Sequence, residues 1–81
     1  MRLDKYLKVS RLIKRRTVAN EACDAGKVLV NDKVARASYD VKEGDVIAIT
    51  LGARSVKVRV AAVKETVRKE DAAAMYEPLN S

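Results

Sequence analysis

The apolar period changes along this chain, and that change constrains the fold more than any other feature. Leu3, Tyr6, Leu7, Ser10 and Ile13, with Leu12 beside them, recur at spacings of three and four, as one face of a helix over residues 2–14 would. Val56, Val58 and Val60 instead alternate with Lys57, Arg59 and Ala61, the period of a strand with one face buried and one wet. Helices come first and strands follow, which predicts an α+β fold. Two N-terminal helices pack on a small, strongly twisted antiparallel sheet, and a short C-terminal helix closes it.

Punctuation residues divide the rest. Thr17 is placed to cap a second helix over about 18–25, since its hydroxyl can accept a first-turn N–H. Glu21 suits the positive end of that helix, and Gly26 stands where a left-handed stop belongs. Val18, Ala19, Ala22 and Cys23 form a small-residue face for close packing. Residues 27–30 read as a strand, Asn31-Asp32 as a tight turn and 33–35 as the returning strand. A second turn over 40–45 pivots on Gly44. Residues 46–51 form the next strand, and residues 52–55 a four-residue hairpin loop. Ala72, Met75 and Tyr76 predict a last helix within 68–77, ended by Pro78. The expected core is aliphatic, because the chain has no Phe or Trp: Leu3, Leu7, Ile13, Val28, Val30, Ile47 and Val58. The 81 residues are expected to form a single domain.

The charge is segregated. Residues 1–36 hold ten Lys and Arg against four acids, whereas residues 37–81 hold seven of each sign. The net charge of +6 therefore lies in the first half, which points to a polyanion partner, nucleic acid before anionic lipid. Arg2, Lys5, Lys8 and Arg11 recur every three residues along the first helix, and Lys14-Arg15-Arg16 follow at the helix–helix junction. Only Asp4 balances these cations, so the stripe lacks the alternating signs of a self-stabilised helix surface. Arginine grips phosphate with a planar fork, lysine adds point charge, and the start of the second helix favours an anion beside Arg15 and Arg16. Arg2, Lys5, Lys8, Arg11, Lys14, Arg15 and Arg16 are the candidate RNA contacts. Three Tyr are too few for a stacking platform along a single strand, so folded RNA read by its backbone fits better. Tyr39, beside the first hairpin, is the one candidate stacking platform, set against the leading reading of a partly buried loop residue.

Other chemistries find little support. The chain has no His and one Cys, which removes a Cys/His zinc site, an internal disulfide and a His-activated thiol. Cys23 reads as a small core residue. Asp40, Glu43 and Asp45 surround a turn and read as solvated carboxylates. No Gly-rich phosphate loop occurs, and no cofactor or metal is expected. No apolar run is long enough to span a membrane and the first residues lack a signal-peptide core, so a cytoplasmic, non-enzymatic protein with no membrane partner is expected.

The order Arg2-Leu3-Asp4-Lys5-Tyr6-Leu7, Arg11, Lys14-Arg15-Arg16-Thr17, Ala22, Gly26, Val28-x-Val30-Asn31 and Val41-x-x-Gly44-Asp45 resembles the RNA-binding domain named after ribosomal protein S-four. The resemblance runs from residue 2 to about 51. The family commonly has Gly after that Asn, where this chain has Asp32. The run from Ser10 to Thr17 and the tail Lys69-Glu70-x-Ala72-Ala73-x-Met75-Tyr76 are similar to the family's free-standing quality-control members. That likeness implies binding to the large ribosomal subunit carrying an obstructed peptidyl-tRNA. It implies contact with large-subunit rRNA and the tRNA together, and support for the partner factor that adds C-terminal alanine tails. It also singles out Arg2 and Arg16 as key contacts, and a monomer is expected away from the ribosome. Three alternatives stand beside it. One is a heat-shock-type recycling or ribosome-assembly member of the same family, whose heat-shock relatives carry a longer basic tail. A helix-turn-helix DNA binder is opposed by a second helix with few base-reading side chains. An RNA-modifying enzyme is opposed by the lack of room for a catalytic domain.

Overall fold

The computed structural model describes residues 1–65 and 67–79. Helix α1 spans Leu3–Val9 and α2 Arg16–Asp24. The strands are β1 (Val28–Val30), β2 (Lys33–Val34), β3 (Val46–Leu51), β4 (Arg54–Val60) and β5 (Tyr76–Pro78), with a 3-10 helix, Lys69–Met75, before the last. The sheet is antiparallel throughout, in the order β2-β1-β3-β4-β5. The α+β class predicted from the change of period is therefore the class observed.

Register builds the core. Val28 lies opposite Ile49, Val30 opposite Ile47, and Ile47 in turn opposite Val58. These side chains are all buried, and with Val60 they join Leu3, Tyr6 and Leu7 of α1 and Ala19, Ala22 and Cys23 of α2 in one cluster. All seven expected core residues belong to it. Each fully buried aliphatic side chain contributes about 1.5–3 kcal/mol relative to exposure. The small side chains of α2 let it lie close to α1. Burial, helped by the charges of Asp4 and Asp24, pushes the Cys23 thiol up to about 11, so it stays protonated and inert.

The first helix is shorter than its periodicity suggests. It ends at Val9, with Ser10 as its C-cap, and Arg11 takes a left-handed backbone, φ 64°. Ser10 is buried, with its Oγ donating to the Leu7 carbonyl at 3.3 Å. Leu12 and Ile13 still reach the core from the irregular segment that follows, so apolar spacing continues where the helix does not. Helix α2 starts earlier than expected. Arg15, extended at φ −119° and ψ 133°, is its N-cap, and Thr17 lies inside it. Val18 is left exposed, whereas Ala19, Ala22 and Cys23 face inward. Gly26 follows the C-cap Ala25 with φ 74°, the left-handed stop expected there.

Two loops and the tail also differ in detail. Leu51 pairs with Arg54, so the second hairpin turns on Gly52-Ala53 alone, and Arg54 and Ser55 belong to β4. The last helix is a 3-10 helix that buries Ala72 and Met75. Tyr76 then starts a strand, with Pro78 opposite Val58. A proline is tolerated there because β5 is an edge strand, where a missing N–H leaves no ladder bond unmade.

Candidate nucleic-acid interface

The N-terminal residues are anchored before they present any charge. The Leu3 N–H donates to the Tyr39 carbonyl at 2.8 Å and the Asp4 N–H to the Ala37 carbonyl at 3.1 Å. Arg2 forms an isolated bridge with Asp40. The first turn of α1 is thus held by the segment after β2, which fixes the direction in which Arg2, Lys5 and Lys8 leave the backbone.

Lys5, Lys8, Arg11, Lys14 and Arg16 line one open groove of about 870 Å³, with Val9 and Val67 as apolar lining. The change of direction at Arg11 makes this possible. A straight helix to residue 14 would carry Arg11 and Lys14 onward along its axis, whereas the left-handed residue folds them back toward the start of α2. Among the described residues no side chain caps the N-terminal amides of α2, which suits an anion beside Arg16. Arg15 is exposed at the same helix start but does not line the groove. Arg2 lines the neighbouring groove with Arg36 and Asn20.

Asp4 joins the two grooves. Its side chain is almost fully buried, and it accepts from Arg2 Nε at 3.1 Å and Nη2 at 3.4 Å. Arg16 approaches the same carboxylate with Nε at 3.4 Å and Nη2 at 3.5 Å. Asn20 Nδ2 donates at 3.4 Å and the Lys5 N–H at 2.8 Å. Burial acts to raise the Asp4 pKa, but the hydrogen bonds from Arg2, Arg16, Asn20 and Lys5 outweigh it and hold the carboxyl below its ordinary value. Asp4 therefore stays ionised. Both arginine side chains remain about half exposed, with N–H groups left over for a phosphate.

Sequence reasoning singled out seven cations and missed three contributors. Lys69, delivered by the 3-10 helix, lines the main groove, although the neutral charge of residues 37–81 gave no sign of it. Glu65 lies there too and pairs with the Lys5 ammonium, whose hydrogen bond and charge lower the Glu65 pKa. Asp4 itself stood within the Arg2-to-Leu7 run, but only its contact with residues 16 and 20 shows what it does. The exposed residues of α2 include Glu21 and Asp24, the wrong sign for a helix entering a DNA groove. Among the described residues no group of three or more His, Cys, Asp or Glu is arranged to hold a metal ion, and no helix is long and apolar enough to cross a membrane.

Comparison with known proteins gives the family and the fold. Residues 1–47 match the S4 domain family. The chain is 58% identical over 77 residues to the RQC P-site tRNA stabilizing factor of Halalkalibacterium halodurans, covering 95% of this chain and 88% of the relative. It is 54% identical over 76 residues to the factor of the same name from Bacillus subtilis, at 94% and 88% coverage. Among solved structures, heat shock protein 15 of Vibrio cholerae, a trimer, superposes with a TM-score of 0.91 at 28% identity, covering 98% of this chain and 81% of that one. The solution structure of the hypothetical protein HP1423 superposes with a TM-score of 0.83 at 30% identity, covering 100% and 99%. The sequence match, the helix pair on its sheet and the clustered cations agree: this chain belongs to the S4 domain family, alongside the RQC P-site tRNA stabilizing factors.

Proposed function

We propose that this chain is a non-enzymatic, cytoplasmic RNA-binding factor of ribosome-associated quality control, acting as one RNA-binding domain. It binds the large ribosomal subunit that carries an obstructed peptidyl-tRNA, touches rRNA and tRNA together, and supports the alanine-tailing factor acting on the stalled chain. The observation that carries this reading is the convergence of Lys5, Lys8, Arg11, Lys14 and Arg16 on one groove, joined to Arg2 through Asp4. Two arginines on either side of one buried carboxylate offer phosphate forks in two neighbouring grooves. That arrangement suits a small body held between two RNA backbones. The names of the relatives supply the biological setting.

A heat-shock-type role in ribosome recycling is the second reading, favoured by the close superposition on heat shock protein 15. The much higher identity to the quality-control relatives over nearly the whole chain favours the first.

The test is Arg16→Ala with purified large subunits that retain peptidyl-tRNA. Loss of charged hydrogen bonds to phosphate should weaken co-sedimentation roughly tenfold or more. Arg16 also pairs with the buried Asp4, but that carboxylate keeps Arg2, Asn20 and the Lys5 N–H, so the melting temperature should fall by no more than a few degrees. A variant that co-sediments normally would remove Arg16 from the interface. One that unfolds would make it structural.

A further inference from the structure

The face of the first hairpin has chemistry that the basic groove leaves unused. Val34, on edge strand β2, is 65% exposed and Tyr39 is 37% exposed, which makes them two of the few large apolar side chains left open to solvent. They line a concave surface together with Asn31, Lys33, Arg36 and Ser38. Two cations and no carboxylate line that surface. Neither Lys33 nor Arg36 enters an ion pair among the described residues.

The ring of Tyr39 is held in place. Its hydroxyl donates to Asp45 Oδ2 at 3.4 Å, and the Asp45 carboxylate also accepts from Asn31 Nδ2 at 3.1 Å and the Lys42 N–H at 3.0 Å. At the backbone, Tyr39 accepts from the Leu3 N–H at 2.8 Å and donates to the Arg36 carbonyl at 3.0 Å. An open aromatic side chain fixed at both ends loses little freedom when a flat partner covers it. Arg36 also lines the groove that holds Arg2, so this face continues the phosphate-binding edge.

We propose that the Tyr39 face binds one unpaired nucleotide of the RNA, with its base stacked on the Tyr39 ring beside Val34 and its flanking phosphates on Lys33 and Arg36. Stacking needs only a π-face and so tolerates any base. A single ring accommodates a single base, in keeping with the low aromatic content of the chain. An acidic peptide would also meet the two cations, but continuity with the Arg2 groove favours RNA. The site rests on the RNA-binding reading above and adds to it a base contact that backbone recognition does not require.

Two probes test it: a blunt RNA hairpin, and the same hairpin with a short 3′ extension of unpaired adenosines. Tyr39→Ala should weaken binding of the extended hairpin roughly tenfold and leave the blunt one within about twofold. Tyr39→Phe keeps the π-face but loses the tie to Asp45, so it should retain the preference for the extended hairpin and bind it within about threefold of the unmodified chain. Lys33→Ala with Arg36→Ala, both exposed, should reproduce the selective loss without touching the ring. The chain lacks Trp, Tyr6 is fully buried and Tyr76 is half-buried on β5, the sheet edge opposite β2, so the extended hairpin should quench tyrosine emission in the unmodified chain and not in Tyr39→Phe. Equal losses on both probes, or none on either, overturn the site. Arg16→Ala should weaken both probes alike, so failure of the RNA-binding reading would appear there, separately from failure at Tyr39.

Discussion

Arg2 and Arg16 hold one carboxylate between them, that of Asp4. Two cations on neighbouring grooves would repel each other if left alone. A buried anion between them lets them stand side by side, each still half exposed. The acid therefore does not cancel the basic edge; it sets the spacing of the two positions that the family resemblance singles out.

Asp4 should leave a signature in acid. Its pKa is lowered on folding, so its contribution is present above the unfolded value, near 3.8, and is lost as pH falls through the folded one. Asp40 and Glu65 shift in the same direction but are exposed. Asp4→Asn should cost about 1–3 kcal/mol at neutral pH, because a buried charged acceptor of several hydrogen bonds is lost. It should also flatten the fall in melting temperature below pH 3.8. A variant whose acid limb parallels that of the unmodified chain would show that the carboxylate is not held as described.

Arg11 separates charge from backbone strain. Its left-handed conformation is easy for Gly and disfavoured for β-branched residues. Arg11→Gly should hold the melting temperature within a few degrees, since relieved strain offsets the added freedom of the unfolded chain. It should still weaken RNA binding and reduce the slope of log affinity against log salt by about one phosphate contact. Arg11→Val should remove the same charge and destabilise the fold as well. Equal melting temperatures for the two variants would argue against a fixed left-handed turn at this position.

How much was legible in the sequence depends on how local each signal is. The strand period at Val56, Val58 and Val60 and the seven core positions are local patterns, and they match the structure. The end of α1 was hidden because Leu12 and Ile13 keep helical spacing while packing from an irregular segment. Strand β5 was hidden because Tyr76-Glu77-Pro78 is short, does not alternate and contains proline. It pairs only because the 3-10 helix delivers it to β4. The basic stripe was visible as composition. The Asp4 clasp was not, since it joins residues 2, 4, 16 and 20 through folding alone.

The first hairpin is open to improvement. Asn31 and Asp32 have φ of 53° and 68°, both in the left-handed region. Asn is well suited to this, and here its Oδ1 also accepts the Val46 N–H at 3.0 Å. Asp32 stands where the family commonly has Gly, the residue that adopts such a turn without a Cβ penalty. Asp32→Gly should stabilise by about 0.5 kcal/mol, net of unfolded-state entropy, and raise the melting temperature by a few degrees. Thermal unfolding followed by circular dichroism would measure it, and a lower midpoint would mean that the Asp32 side chain has a role beyond the turn.

Tyr6 links the helix that presents the cations to the tail that adds Lys69. Its buried hydroxyl donates to the Met75 carbonyl at 2.7 Å. The same carbonyl also accepts the Ala61 and Ala62 N–H groups at 2.8 and 3.1 Å. Tyr6→Phe removes the hydroxyl but leaves the carbonyl two partners, so the cost should be modest, about 0.5–1.5 kcal/mol. The effect should be local as well as global. With one tie fewer, the Met75 turn should open more readily, and the Ala61 and Ala62 amides should exchange with solvent faster than those of β3. Groove affinity should fall slightly as Lys69 is held less firmly. Uniform acceleration across all strands would mean that Tyr6 stabilises the core as a whole and does not specifically dock the tail.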